Sequence, residues 1–290
     1  MSEHVRQVEE VFRGQETMEG AGVRLRRLFG NQHVPKFDPF LLLDNFGSAD
    51  ARDYLPGFPW HPHRGIETVT YMLEGEVQHE DSLGNAGSID SGDVQWMSAG
   101  SGILHQEMPQ RTDGMLRGFQ LWVNLPAKLK METPAYRGLD APAIPTYRTE
   151  AGATVKVVAG RSGGVEGPVR GIPVDPTYID VSLPPGVEFE HATHPGYTSF
   201  AYVSEGQAAL GPAASAPVGA NRVALLGDGD RFRAKAADQG ARFLFVSGRP
   251  LHEPVAWYGP IVMNTNDELG QALSELRRGE FIRTAPVEGS

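Results

Sequence analysis

Two short stretches, His61-Pro62-His63 and His105-Gln106-Glu107, hold the residue types best suited to chemistry in this chain. In extended backbone, residues i and i+2 share a face, so each stretch can aim two donor side chains at one point. Pro62 favours that extended form. One such pair taken alone is usually a surface or packing feature. Two pairs separated by a hairpin-rich segment can meet as a site of three nitrogens and one oxygen. Neutral imidazoles with a carboxylate suit iron, manganese, nickel, copper or zinc, and leave open positions for water, oxygen or a substrate. The chain has no cysteine. Disulfides, thiolate nucleophiles, iron–sulfur clusters and cysteine zinc sites are therefore excluded.

The elements that position these residues read as strands. Residues 66–77, IETVTYMLEGEV, mix Thr, Val, Tyr and Ile at near-alternating spacing and end in a Glu-Gly turn, the pattern of a strand entering a hairpin. Similar text recurs: Tyr71-Met72-Leu73-Glu74-Gly75-Glu76 resembles Tyr202-Val203-Ser204-Glu205-Gly206-Gln207 at an offset of 131 residues, and Ser91-Gly92-Asp93 resembles Asp228-Gly229-Asp230 at 137. A period this long implies duplicated domains, with extra residues between the two matches in the second copy. Pro126, Pro134, Pro142 and Pro145 mark a linker, which divides the chain into residues 1–135 and 136–290. One helix is predicted near the C-terminus, capped by Asn266, with Leu269, Ala272, Leu273 and Leu276 on one stripe and Gly279 as its stop.

A chain of 290 residues with 40% apolar and 21% charged residues can bury two cores, and its 35 Gly and 22 Pro favour turns over long helices. An all-β fold is expected. The formal net charge of −10 opposes binding to phosphate backbones, so no direct nucleic-acid partner is expected. The opening MSEHVRQVEEVF lacks a signal-peptide core, and no segment reaches the length of a membrane span, so a cytoplasmic protein without a membrane partner is expected.

The text DPFLLLDNFG (38–47), HPHRGIETVTYMLEGEVQHEDSLGN (61–85), GDVQWMSAGSGILHQEMP (92–109), FQLWVNLP (119–126) and MNTNDELGQA (263–272) closely resembles the pirin family of the cupin superfamily, over nearly the whole chain. The resemblance implies two tandem cupin barrels of jelly-roll type, the N-terminal one binding metal; with the helix read above, the expected fold is two such barrels and a C-terminal α-helix. It implies one divalent metal per chain, iron foremost, held by His61, His63, His105 and Glu107. In some members it implies quercetin 2,3-dioxygenase activity, and in animal members a nuclear co-regulator role.

By cupin spacing, counting back from the hairpin Gly75 puts Thr68 where ordinary cupins carry a ligand Glu, with Glu67 one step off and therefore facing away. Four residues separate Gly100 from His105 where ordinary cupins have two, a departure shared with pirins. Applying the repeat offsets, His61 maps to Ala192, His63 to His194, His105 to Arg242 and Glu107 to Leu244, so the second barrel is expected to be metal-free. His191 lies near enough to be weighed as a replacement.

The expected activity is oxygenation of a small aromatic substrate such as a flavonol by O2. Glu107, the only carboxylate expected at the metal, is the candidate base for the substrate hydroxyl. Phe58, Trp60, Trp96 and Met97 flank the ligand segments and are expected to wall the substrate pocket. The alternative is a non-enzymatic protein whose metal redox state controls a surface for a protein partner.

Overall fold

The computed structural model describes residues 4–212 and 215–283. The first half holds β1 (Val8–Arg13), β2 (Gln15–Glu19), β3 (Val23–Phe29), β4 (Phe40–Ser48), β5 (Phe58–His63), β6 (Ile66–Glu74), β7 (Val77–Asp81), β8 (Ala86–Ile89), β9 (Val94–Ser98), β10 (Ile103–Pro109), β11 (Leu116–Asn124) and β12 (Ala135–Leu139). After it come β13 (Thr146–Arg148), β14 (Thr154–Ala159), β15 (Arg161–Ser162), β16 (Val165–Glu166), β17 (Thr177–Leu183), β18 (Glu188–Ala192), β19 (Thr198–Leu210), β20 (Pro217–Gly219), β21 (Arg222–Leu226), β22 (Arg231–Gly248), β23 (Ala256–Tyr258), β24 (Ile261–Met263) and α1 (Asn266–Arg278). The all-β expectation with one C-terminal helix holds. No helix among the described residues is long and apolar enough to cross a membrane.

The chain forms two compact units. The first unit runs from Gln15 to Pro35, from Phe40 to Ala141, and from Leu251 onward. Its strands make a seven-stranded sheet in the order β12-β9-β6-β11-β4-β3-β2 and a four-stranded sheet in the order β5-β10-β7-β8. The second unit takes the segment up to Gly14, Lys36–Pro39 and Pro142–Pro250. Its main path runs β1-β21-β19-β22-β17-β14-β13, with β18 paired to β22. The break after Ala141 falls in the predicted linker, and the compact units differ from a cut at 135/136 in placing the segment up to Gly14 with the second unit and the segment from Leu251 onward with the first. β1 is the edge strand that pairs with β21 in the second unit, and β23, β24 and α1 belong to the first. Strand pairing across more than two hundred residues leaves no local signature in a sequence.

The duplication is real, and its register differs from the repeat offsets. Tyr71 pairs with Val94 on β9 and Phe119 on β11, while Tyr202 pairs with Val223 on β21 and Leu244 on β22. The Tyr71/Tyr202 match is therefore structural. Asp228-Gly229-Asp230, however, follows β21, whereas Ser91-Gly92-Asp93 precedes β9, so the second match joins unlike turns. Through the paired tyrosines, Arg242 corresponds to Arg117 of β11, not to His105 of β10. Its guanidinium is committed to Asp180, with Nε 3.0 Å from Oδ1 and Nη2 2.6 Å from Oδ2. Arg242 thus puts no charge at the metal position.

α1 is capped by Thr265 rather than Asn266. The Thr265 hydroxyl accepts from the Glu268 N–H, the Glu268 side chain returns to the Thr265 N–H, and Gly279 at φ 75° closes the end. Ala272 is buried, and Leu269, Leu273 and Leu276 pack with Ile261, Met263 and Phe281.

Candidate metal centre

β5 is an edge strand, which is where Pro59 and Pro62 fit, since neither can donate to a ladder on both sides. It pairs with β10 so that His61 faces His105 and His63 faces Ile103. An irregularity then sets Glu107 opposite Phe58. Past His63 the chain must turn at Gly65, where φ is 78° and a Cβ would sit 2.0 Å from the Val262 carbonyl oxygen. Only glycine fits there.

The three imidazoles converge. Among the described residues, His61, His63 and His105 each offer a nitrogen within 4.8 Å of the others. Ring centroids lie 4.9 Å apart for His61 and His63, 4.3 Å for His61 and His105, and 5.0 Å for His63 and His105. Two backbone carbonyls fix the tautomers. His61 Nδ1 lies 2.9 Å from the Pro59 oxygen, and His63 Nδ1 lies 3.2 Å from that of Pro260. With Nδ1–H donated in both rings, the Nε2 lone pairs face each other at 3.1 Å, which is repulsive unless a cation sits between them. His105 is fully buried and neither of its nitrogens has a hydrogen-bond partner, an unfavourable state that a metal ion relieves. Burial first, and then the neighbouring imidazoles, hold His63 and His105 well below the ordinary histidine range, so both are in the neutral, ligating form. The three histidines can hold a metal ion.

Glu107 is buried beside them but is not one of that group. Its Oε1 lies 2.9 Å from Thr70 Oγ1, which also lies 2.6 Å from Gln120 Oε1. Glu67 lies on the other face of β6 and accepts a 3.1 Å hydrogen bond from Trp96 Nε1, as strand alternation requires. Burial raises its carboxyl to about 7.

A cavity of about 660 Å³ opens onto the site, lined by His61, His63, Thr70 and Glu107 among others. Phe58 and Trp60 line it, and Trp60 remains 48% exposed. Trp96 and Met97 do not wall this cavity: Trp96 is held against Glu67, and Met97 packs in a core cluster with Ile66, Ile103 and Val262. Proximity in sequence to the ligand strands misled here, because face and depth decide what a side chain lines. Sequence reasoning missed Trp122 and Trp257, whose centroids lie 5.8 Å apart and which both line the cavity. It also missed Pro260. No local signal could place residues 257–260 beside His63. His79 is a further unforeseen neighbour, with its ring 5.4 Å from His105 and stacked on Tyr136 at 4.9 Å.

In the second unit, β18 pairs with β22 as β5 pairs with β10, and His191 faces Phe232. Phe232 and Ala234, both buried on the face of β22 that His191 meets, offer no donor. His191 is buried with Nδ1 3.2 Å from Ser162 Oγ, and no group of three ligating side chains is found there among the described residues.

Comparison with known proteins agrees with this architecture. Residues 22–123 match the family model described as pirin, and residues 178–282 match that of the pirin C-terminal cupin domain. A pirin-like protein of Caulobacter vibrioides is 48% identical over 96% of this chain and 99% of its own length. Human pirin is 41% identical over 91% of this chain and 90% of its own. The crystal structure of quercetin 2,3-dioxygenase from Acinetobacter baumannii superposes with a TM-score of 0.87 at 33% identity, covering 96% of this chain and 99% of that one.

Proposed function

The chain belongs to the pirin family of two-domain cupins, and from that premise we propose that it is a metal-dependent dioxygenase acting with O2 on quercetin or a related flavonol or enolizable compound. The observation that carries this reading is the convergence of the His61, His63 and His105 imidazoles, two of them buried, at a cavity that His61, His63 and Glu107 line together with Trp60, Trp122 and Trp257. The likeness to a structurally characterised quercetin 2,3-dioxygenase supports it.

His61, His63 and His105 would hold the metal, with Glu107 as the carboxylate of the set. Iron is the ion proposed, one per chain, and the same donors suit manganese, nickel, copper or zinc. When bound, such an ion supplies Lewis acidity and, for iron, one-electron chemistry. The protein's part is orientation and proton transfer. The Pro59 and Pro260 carbonyls hold two rings with Nε2 turned inward. Glu107 Oε1 lies 2.9 Å from Thr70 Oγ1, and the carboxylate can take the proton of a substrate hydroxyl. Trp60, Trp122 and Trp257 provide flat apolar walls for an aromatic body.

Anaerobic loading with ferrous iron, followed by quercetin and oxygen, tests the proposal. Oxygen uptake with loss of the flavonol is expected, and Glu107→Gln should lower the rate by about two orders of magnitude, the scale of a lost general base. Undiminished turnover in Glu107→Gln at normal metal content excludes the base role. Iron-loaded wild type that consumes no oxygen with any flavonol overturns the dioxygenase reading and leaves regulation through a protein partner.

A further inference from the structure

A row of polar side chains crosses the sheet beneath the cavity. Gln95, Thr70, Gln120, Asp44 and Arg27 are successive cross-strand partners on β9, β6, β11, β4 and β3, so all five lie on one face. Their neighbours on that face are apolar: Leu42 and Phe46 on β4, Leu116 and Trp122 on β11. A face serving only as core has no use for such a row, because buried polar groups are unfavourable unless paired. Thr70, Gln120, Asp44 and Arg27 all line the cavity that His61, His63 and Glu107 also line.

The row is only partly satisfied from within. Arg27 grips Asp44 from one side, with Nε 3.0 Å from Oδ1 and Nη2 2.8 Å from Oδ2, so each carboxylate oxygen keeps a second lone pair. Gln120 Oε1 is taken by Thr70, and Gln120 Nε2 has no partner among the described residues. An amide donor and a carboxylate acceptor therefore stand side by side on directly opposed positions, with Cβ atoms about 5 Å apart. A hydroxyl group, which accepts one hydrogen bond and donates another, complements that pair. Asp44 lies two strands, roughly 10 Å, across the sheet from the Thr70 that touches Glu107. That is the span of a two-ring aromatic compound. Burial raises the Asp44 carboxyl to about 6 even with Arg27 beside it, so at neutral pH it remains an acceptor.

We propose that Gln120 and Asp44, backed by Arg27, are the specificity-determining residues for the end of the substrate remote from the metal, and that they select planar aromatic compounds carrying a phenolic hydroxyl at that end. This rests on the reading of the cavity as the substrate site of a dioxygenase. The hydroxyl accepts from Gln120 Nε2 and donates to Asp44.

The test is anaerobic quenching of tryptophan fluorescence in the iron-loaded full chain, titrated with quercetin and with 3-hydroxyflavone, which lacks the remote hydroxyls. Two added hydrogen bonds should make wild type bind quercetin about tenfold tighter or more. Gln120→Leu and Asp44→Asn should each shrink that ratio to below about threefold, with affinity for 3-hydroxyflavone unchanged. Two variants are used because Asp44→Asn alters the charge balance at Arg27, whereas Gln120→Leu does not. Equal affinities in wild type, or an unaltered ratio in both variants, overturn the assignment. Admitting oxygen afterwards separates the two proposals: bound flavonol that is not consumed removes the dioxygenase reading and leaves the affinity ratio to stand or fall alone. Binding of neither compound overturns both.

Discussion

His105 sits with two unpartnered ring nitrogens at full burial, and its replacement by Ala removes a ligand without removing a structural hydrogen bond. His105→Ala and His63→Ala should therefore lose stoichiometric metal while keeping the wild-type circular dichroism spectrum, which elemental analysis and spectroscopy together check. Glu67 offers an electrostatic test on the opposite face of β6. Its folded carboxyl titrates near 7, above its ordinary 4.5, so the folded chain keeps a proton that the unfolded chain has released between those values. Wild-type stability should fall as pH rises through that window. Glu67→Gln, which still accepts from Trp96, should be more stable than wild type by about 1–3 kcal/mol at pH 8 and show no gain at pH 4, as read by urea unfolding. A gain independent of pH contradicts the assignment. The convergence of His61, His63 and His105, and the turning away of Glu67, were legible because strand alternation is a local rule. Trp96 and Met97 were not, because adjacency to a ligand segment says nothing about which layer a side chain enters.

At the scale of elements, the segment from Leu251 onward completes the metal-site unit. Pro260 orients His63 and Trp257 walls the cavity, while Arg64, next to His63, is buried against Glu275 of α1 at 2.8 Å and donates to the Phe281 carbonyl at 2.9 Å. Glu275→Ala leaves Arg64 buried without its counter-ion and should destabilise the unit by about 3–5 kcal/mol. Because the strap carrying Pro260 is held by the same contacts, metal affinity should fall as well. Urea unfolding and a competitive chelator titration measure the two effects, and wild-type values in both would separate the strap from the site. The helix and its glycine stop were readable from periodicity, with the cap misplaced by one residue. The capping pair Thr265 and Glu268 was present in the sequence and outweighs Asn266 because both of its bonds form together. The crossing of β1 to β21 was unreadable, since edge-strand pairing depends on which partner is vacant in three dimensions.

For the whole molecule, the duplicated plan was visible in the recurrence of Tyr71–Glu76, while a three-residue turn match gave a false offset for the rest. Arg242 lies on the part of β22 that matches β11 rather than β10, and the same conclusion rests on other ground: Phe232 and Ala234, beside His191, offer no donor, and His191 is turned to Ser162. The account therefore has one metal per chain, in the unit that carries His61, His63 and His105. Anaerobic titration of the full chain with ferrous iron tests this most directly. Wild type and His191→Ala should both saturate at one equivalent and His105→Ala should bind none, whereas a second tight equivalent in wild type that disappears in His191→Ala contradicts it.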